Sequence, residues 1–309
     1  MTDEVRPAVD TELVTRLVAA QFPAWAHLPV RAVPAQGNDN RTFRLGEDLV
    51  VRLPSVTGYV AAVAKEDRVL PRLAGALPVA VPEPVASGAP GQGYPFPWSV
   101  RRWLPGVTAD EDPALDRSAL AEDLAAALVA LRRIPTDDGP VAGQHSFFRG
   151  AHPRAYDGEV REALRTLRGR DGVGNDSSID VDACAAVWAE AMATGISGPP
   201  VWFHGDVGVG NLLTVDGRLS ALIDFGTCGV GDPACDLVIA WTFLGPAERR
   251  LFADTVDLPT STWRLARGWA LWKALITVTG AERDTAYDRY HRAIQERTIR
   301  AVLADPVAG

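Results

Sequence analysis

The chain has 309 residues, of which 47% are hydrophobic and 23% are charged, and its formal net charge is −8. This is the composition of an ordinary globular protein, large enough for one large domain or two medium ones. The acidic balance argues against bulk binding to nucleic acid or to an anionic membrane, and it is compatible with a cationic small substrate. No apolar run spans a bilayer, the N-terminus lacks a signal-peptide core, and three irregularly spaced cysteines predict reduced thiols, so we expect a cytoplasmic protein.

The first third of the chain predicts short strands and two helices. In chain order they are a helix over 10–27, a hairpin of 42–45 and 49–53, a helix over 60–74 and a strand over 98–103. We expect Pro54 to end the hairpin and Pro71 to disturb the end of the second helix.

From residue 116 onward the periodicity is helical, apart from one segment. The predicted helices are 116–133, 155–168, 180–193 and several within 233–303. We therefore predict an α+β fold with a small β-rich N-terminal lobe, 1–105, and a larger, mostly helical C-terminal lobe, 106–309. The hinge would lie near 102–107, and small ligands tend to bind in clefts at such junctions.

The segment that interrupts the helices is VWFHGDVGVGNLL (201–213), followed by LIDFG (222–226). It predicts a strand, a loop that holds Asp206, and a hairpin with Asn211 at its start and Asp224 at its end. Because a hairpin brings its two ends together, we expect Asn211 to face Asp224.

Two oxygen ligands and a further carboxylate suit Mg²⁺-dependent phosphoryl transfer. Asn211 and Asp224 would hold the cation, and Asp206 would accept or orient the proton of an attacking hydroxyl. Each residue alone is better explained as a loop or capping residue, but the ordered set favours an active site.

HGDVGVGNLL, LIDFG and GVGDPACDL (229–237) resemble the aminoglycoside phosphotransferase family, which has a two-lobed protein-kinase-like fold. The resemblance extends over most of the chain. It implies a small-molecule kinase that uses ATP or GTP with Mg²⁺, with Asp206 as catalytic base and Asn211 and Asp224 as metal ligands. His204 would orient the loop, and Asp232 and Asp236 would brace it, although an N-cap role explains Asp232 equally well.

Two sequence features depart from patterns of this fold. The loop holds Val207–Gly210 where the family often has His and Pro, which leaves the three key positions intact. The Asp-Phe-Gly at 224–226 is closer to protein kinases, but the chain has neither an Ala-Pro-Glu segment nor their glycine-rich signature. We therefore expect a small-molecule substrate.

The residues that the resemblance assigns to nucleotide binding lie in the N-terminal third of the chain. Arg52 stands where a lysine is more usual, and Glu66 is its expected partner, with Lys65 as an alternative phosphate ligand or an exposed helix charge. Gly37 and Asn38 would cover the triphosphate, although any hairpin turn has similar residues. Backbone groups of Arg101, Arg102 and Trp103 would contact the purine.

The sequence does not determine which small molecule accepts the phosphoryl group. The resemblance implies an aminoglycoside-type antibiotic, and hence a role in antibiotic resistance. Candidate carboxylates for its amines are Asp157, Glu159, Glu162, Glu282 and Asp284. A solvated helix face explains each of these better. Trp269 and Trp272 would suit a macrolide, although core packing explains them better. The alternatives are a macrolide kinase, a metabolite kinase (sugar, choline-like or fructosamine), or a catalytically inactive kinase-like binding protein.

Overall fold

The chain divides into two structural units. The first contains residues 1–107, 213–215 and 220–226, and the second contains 108–212, 216–219 and 227–309. The structure, a computed structural model, describes residues 6–34, 37, 39–170, 179–280 and 286–305. Within these residues no helix has the length and apolar character needed to cross a membrane.

The first unit is built on a five-stranded antiparallel sheet of order β1-β2-β3-β5-β4. Its elements in chain order are α1 (Thr11–Gln21), β1 (Val30–Ala32), β2 (Asn40–Leu45), β3 (Leu49–Pro54), α2 (Val60–Leu73), β4 (Pro84–Gly88) and β5 (Trp98–Arg102). The predicted hairpin is confirmed, with Leu45 paired with Leu49. Apolar residues of α1 and one sheet face form the core, in which Val51 and Trp98 are fully buried.

Two predicted helix ends differ from the structure, and prolines explain both. α1 ends at Gln21, because Pro23 starts a separate short 3₁₀ helix. α2 instead runs through Pro71 to Leu73. A proline this close to a C-terminus removes only one hydrogen bond from the helix.

The second unit is mostly helical. The elements that follow β5 in the chain are β6 (Val107–Thr108), α3 (Arg117–Arg133), α4 (Asp157–Arg170), α5 (Val181–Ala193), β7 (Val201–Phe203), β8 (Leu212–Val215), β9 (Arg218–Leu222), β10 (Gly229–Gly231), α6 (Ile239–Thr242), α7 (Pro246–Val256), α8 (Thr260–Gly280) and α9 (Ala286–Ala304). Most of β8 and of β9 belongs to the first unit, and the helices belong to the second. Asp116 caps α3 by accepting the N–H groups of Ser118 and Ala119, both at 3.0 Å.

The motif segment has the predicted order of strand, loop, strand, turn, strand. β7 pairs with β10 in antiparallel fashion, and β6, β8 and β9 form a three-stranded sheet of order β6-β8-β9. Asp216 (φ 50°) and Gly217 (φ 76°) are both left-handed at the turn between β8 and β9. That is the geometry for which an Asp-Gly dipeptide is favoured in two-residue hairpins.

All three cysteines, Cys184, Cys228 and Cys235, are free and buried, and all three lie in the second unit. Burial raises the pKa of the Cys184 thiol to about 12 and also raises that of Cys235. In the folded chain the thiols of Cys184 and Cys235 are therefore protonated, and all three thiols are shielded from solvent.

Candidate active site

The loop that carries Asp206 begins at the end of β7. Trp202 and Phe203 anchor this strand, because both are fully buried. Gly205 follows with φ +88°, and a Cβ at that position would lie 2.8 Å from Oγ1 of Thr227. The Thr227 hydroxyl in turn donates to the carbonyl of His204 (3.1 Å). The local backbone therefore requires glycine immediately before Asp206.

The Asp236 carboxylate holds the start of this loop by accepting two backbone hydrogen bonds. The N–H of His204 donates to Oδ2 of Asp236 (2.8 Å), and the N–H of Gly205 donates to Oδ1 (2.7 Å). Burial raises the pKa of Asp236, and these two hydrogen bonds oppose the increase by stabilising the carboxylate. The bracing role predicted for Asp236 thus has a geometric basis, and both carboxylate oxygens take part.

His204 is fully buried, whereas Asp206 is exposed. The backbone N–H of Asp206 donates to Nδ1 of His204 (3.1 Å). The ring therefore orients the start of the loop, and a buried ring in this position has no path to an acceptor hydroxyl. This placement agrees with a positioning role for His204, and it leaves Asp206 as the carboxylate that solvent reaches.

Asn211 ends the same loop and turns its amide nitrogen toward Asp206. Nδ2 donates to the Asp206 carbonyl (2.9 Å) and to Oδ2 (3.0 Å). This fixes one carboxylate oxygen. Within the described part of the chain no hydrogen bond is made by the amide oxygen of Asn211, so that oxygen remains for a cation.

The first unit contains a buried ion cluster around Glu66. Arg101 binds its carboxylate with two hydrogen bonds of 3.0 Å each, and Arg52 reaches it at 3.3 Å. The other end of the Arg52 guanidinium contacts Oδ1 of Asp224 at 2.9 Å. Burial opposes ionisation of Glu66, but the charges of Arg101 and Arg52 outweigh it and lower the pKa to about 2. Glu66 is therefore a carboxylate at any working pH.

This cluster was only partly predictable. The sequence predicts the Arg52–Glu66 pair but not the part played by the Arg101 side chain, because the sequence of a strand does not show which partner an arginine reaches. Lys65 is 7% exposed, so the interpretation of Lys65 as an exposed helix charge is wrong. It shares with Glu66 the buried face of α2.

The other residues predicted to bind the nucleotide make hydrogen bonds within the chain, as far as the structure describes them. The carbonyl of Gly37 accepts from Arg41 (2.8 Å), and Asn38 lies outside the described residues. The N–H of Arg102 donates to the Glu83 carbonyl (3.0 Å), and the N–H of Trp103 donates to the Asp48 carbonyl (2.8 Å). Both of these donors are thus engaged within the first unit, and a backbone contact to a purine stays a prediction.

The carboxylates predicted for amine groups have partners of their own. Asp157 accepts from Nε1 of Trp188 (2.9 Å) and pairs with Arg161 (2.8 Å). Glu159 accepts from Nε1 of Trp272 (2.8 Å), and Glu162 pairs with Arg165 (2.5 Å). Glu282 and Asp284 lie outside the described residues. Trp269 and Trp272 are buried, as the core-packing alternative expected.

Asp232 has the N-cap role that was the alternative for it. Its Oδ1 accepts the N–H of Ala234 (2.9 Å) at the start of the 3₁₀ helix Pro233–Val238. Oδ2 is buried without a hydrogen-bond partner, at the edge of a cavity of about 160 Å³. Burial raises the pKa of Asp232 to about 6.

The residues predicted to hold Mg²⁺ are Asn211 in the second unit and Asp224 in the first. Among the residues that the structure describes, no group of three or more His, Cys, Asp or Glu side chains could hold a metal. A dedicated protein cage is therefore absent from this part of the chain. Mg²⁺ in phosphoryl-transfer sites instead takes one or two protein oxygens, and phosphates and water complete its coordination. Asn211 and Asp224 each carry an oxygen of that kind, and their role as metal ligands stays a prediction.

The chain is similar to proteins of one enzyme family. The sequence profile of the phosphotransferase enzyme family APH matches residues 30–275. No curated protein sequence matches the chain significantly. The structure resembles the GDP complex of wild-type aminoglycoside 2'-phosphotransferase-IIIa, with a TM-score of 0.70 and 18% identity over 96% of this chain and 99% of that one. It also resembles the apoenzyme of macrolide 2'-phosphotransferase MphH from Brachybacterium faecium, with a TM-score of 0.58 and 22% identity over 94% and 97%.

These likenesses confirm the predicted α+β, protein-kinase-like fold, with a β-rich N-terminal part and a helical C-terminal part. The profile covers most of the chain, including the loop with Asp206 and the segment with Asp224. The predicted enzyme class, a small-molecule phosphotransferase, is confirmed with it. The chain belongs to the APH phosphotransferase enzyme family.

Proposed function

We propose that this protein transfers the γ-phosphoryl group of ATP or GTP to a hydroxyl group of a small molecule. The observation that carries this proposal is the exposed carboxylate of Asp206, on a loop that Asp236 and His204 hold by backbone hydrogen bonds. A fixed, accessible carboxylate is what a phosphotransferase needs to receive the acceptor proton. The family assignment and the nucleotide complexes among the similar structures support it.

In the proposed reaction the acceptor oxygen attacks the γ-phosphorus while the bond to the β-phosphate oxygen breaks. Asp206 takes the hydroxyl proton, and the nucleoside diphosphate leaves. Asn211 orients Asp206 through its two hydrogen bonds and, with Asp224, would hold Mg²⁺. When bound, Mg²⁺ neutralises charge on the phosphates.

We propose that residues 1–105 bind the nucleotide and that residues 106–309 bind the acceptor. The residues assigned to the nucleotide are Gly37, Asn38, Arg52, Glu66, Arg101, Arg102 and Trp103. The ion cluster supports part of this assignment, because Glu66 fixes the guanidinium of Arg52. Arg101 would act through Glu66. Lys65 stays an alternative phosphate ligand.

Two acceptor classes follow from the similar structures, which include aminoglycoside and macrolide phosphotransferases. The aminoglycoside, and with it a role in antibiotic resistance, stays the prediction from the sequence. A macrolide or a metabolite is the alternative. The cytoplasm stays the predicted compartment.

The first experiment measures ATP and GTP consumption with Mg²⁺ in the presence of aminoglycosides, macrolides and hydroxylated metabolites, with mass detection of the phosphorylated product. A product with one added phosphoryl group that is absent with Asp206→Asn supports the proposal. Nucleotide binding without transfer to any acceptor would favour an inactive kinase-like binding protein.

A further inference from the structure

Two arginines share one face of the sheet in the first unit. In the antiparallel pair of β3 and β5, Arg52 lies opposite Ser99, so Arg101 is its diagonal neighbour two residues further along β5. Side chains alternate between the two faces of a strand, and Val51 belongs to the core that the sheet forms with α1. Both arginines therefore lie on the other face, where Glu66 of α2 accepts hydrogen bonds from each of them.

The ion cluster is a row of alternating charges that runs from the interior toward solvent. In order, its side chains are those of Arg101, Glu66, Arg52 and Asp224, which are 1%, 3%, 12% and 29% exposed. All four residues belong to the first unit. Solvent reaches the end formed by Arg52 and Asp224, so an incoming anion would meet the cluster at Arg52.

The Glu66 carboxylate is shared unequally by the two arginines. Arg101 donates to Oε1 and to Oε2, both at 3.0 Å, whereas Arg52 donates to Oε1 alone, at 3.3 Å. Two guanidinium groups thus face one carboxylate, and the arginine that Glu66 binds less closely keeps the surplus positive charge. The more exposed Asp224 balances this surplus at 2.9 Å, on the side where a phosphate oxygen would compete for the same guanidinium.

The burial of Arg101 is not explained by stability. Among the residues that the structure describes, Glu66 is the only hydrogen-bond partner of its side chain, and the Nε of Arg101 is buried without one. Replacing a buried ion pair with apolar residues is often neutral or stabilising. A buried guanidinium that sets the charge balance at Arg52 has a reason that an apolar residue in its place would not supply.

We propose that Arg101 is a positioning residue for the phosphates of the nucleotide. By holding Glu66, it keeps that carboxylate from neutralising Arg52, which then has positive charge for a phosphate oxygen. The proposal rests on the proposed function, because it concerns the same nucleotide. It differs from a purely structural role, since loss of Arg101 should impair recognition of the phosphates and not of the base.

Binding of a nucleoside diphosphate and of its nucleoside tests this effect without turnover. The probes are ADP with adenosine and GDP with guanosine, measured by calorimetry with Mg²⁺ in excess, after circular dichroism has shown that each variant is folded. Arg101→Met removes the charge and keeps an unbranched side chain. We expect the Kd of the diphosphate to rise about tenfold, as loss of a charge-assisted hydrogen bond allows, and that of the nucleoside to change less than about twofold. Equal losses for both would overturn the proposal.

A second variant separates charge from packing. Arg101→Met combined with Glu66→Gln removes both buried charges, and the glutamine keeps an oxygen that accepts from Arg52. We expect this double variant to bind the diphosphate within about threefold of the native chain, because contacting residues are not additive. If Arg101 only held α2 in place, the double variant would bind no better than Arg101→Met, and the proposal would be wrong.

The control for a lost cation is Arg31→Met in β1. Arg31 is 72% exposed and faces Glu47 at 4.0 Å, so this variant removes the same charge from the surface of the same unit. Both dissociation constants should stay as in the native chain. A weakening like that of Arg101→Met would mean that any lost cation has this effect, which rejects the specific role of Arg101.

These measurements also separate the proposal from the proposed function. If the variants bind as expected and no acceptor is phosphorylated, the proposed function fails and the role of Arg101 stands. Transfer to an acceptor, with unchanged diphosphate affinity in Arg101→Met, would reject the role and keep the function. A native chain that binds neither ADP nor GDP would contradict both.

Discussion

The Asp206 carboxylate is exposed, whereas His204 and Asp236, which hold its loop, are buried. A substitution at Asp206 therefore tests its chemical role without removing the contacts that hold the loop. Asp206→Asn keeps the size of the side chain and a hydrogen-bond acceptor for Asn211, but it removes the group that takes the proton. We expect kcat to fall by about 10²–10⁴ while the affinity for nucleotide is retained. The measurement is turnover together with nucleotide binding by calorimetry.

The matched control is Asp216→Asn in the turn between β8 and β9. Asp216 is exposed and left-handed, a conformation that asparagine also adopts readily. This variant should keep full turnover. If Asp206→Asn were as active as this control, another group would have to be the base.

Glu66 is the residue on which the ion cluster of the first unit depends. Glu66→Gln leaves Arg101 buried without its counter-charge, and we expect the free energy of unfolding to fall by about 3 kcal/mol. Because the pKa of Glu66 is lower in the folded chain, this contribution is full above the unfolded value of 4.5 and declines as the pH falls toward about 2. Urea unfolding from neutral pH to about pH 3 measures both effects.

Glu83→Gln serves as the comparison for that experiment. Glu83 faces Arg102 at 3.8 Å, with both side chains more than half exposed. Such a pair contributes about 0–1 kcal/mol. Similar losses for the two variants, or an unchanged acid dependence in Glu66→Gln, would contradict a special role for the buried cluster.

At the scale of single residues, the sequence predicted what spacing along the chain determines. His204, Asp206 and Asn211 lie within eight residues, so their shared loop follows from the strand before it and the strand after it. Arg149 and Trp272 are far apart in sequence, and no local pattern connects them, although the Arg149 guanidinium carbon lies 4.7 Å from the centre of the Trp272 ring. Tertiary packing alone makes them neighbours.

At the scale of elements, the loop after β7 requires glycine at position 205 but not at position 208. Gly205→Ala forces a left-handed alanine against Thr227, and we expect a loss of about 1–3 kcal/mol together with a reduced kcat. Thermal unfolding and turnover measure these effects. Gly208 has φ −138° and open space around its Cα, so Gly208→Ala should change stability by less than about 0.5 kcal/mol. Equal effects of the two variants would contradict the described loop geometry.

The elements show where sequence patterns succeed and where they end. The hairpin of β2 and β3 and the turn at Asp216 were predicted, because alternation and turn dipeptides are local signals. The ends of α1 and α2 were not, because a proline stops one helix and is accepted by the other. The segment between the predicted helices 155–168 and 180–193 lies largely outside the described residues.

At the scale of the whole molecule, bound nucleotide should stabilise the chain. Mg²⁺-nucleotide at about 100 times its Kd adds about 2.7 kcal/mol, which raises the Tm by several degrees. A chelator should remove this gain. Asp224→Asn should weaken it while keeping an oxygen that accepts from Arg52. A full, Mg²⁺-dependent Tm shift in Asp224→Asn would show that Asp224 is not a metal ligand.

The division into units was beyond local patterns. Residues 220–226 belong to the first unit although they are far along the chain. Backbone hydrogen bonds explain this, because the N–H of Ala80 donates to the Ser220 carbonyl (2.9 Å) and the N–H of Leu222 donates to the Ala80 carbonyl (2.9 Å). Sequence periodicity carries no information on such distant partners.

The burial of the three cysteines gives the chain a built-in reporter of its own opening. Since all three thiols lie in the second unit, a thiol-specific reagent added to native protein reacts only as fast as that unit exposes them. The first unit contains none and is silent in this assay. Comparing the reaction rate with and without nucleotide therefore measures whether a ligand bound to the first unit slows the local opening of the second unit. The ratio of the two rates gives a coupling free energy without any label or substitution.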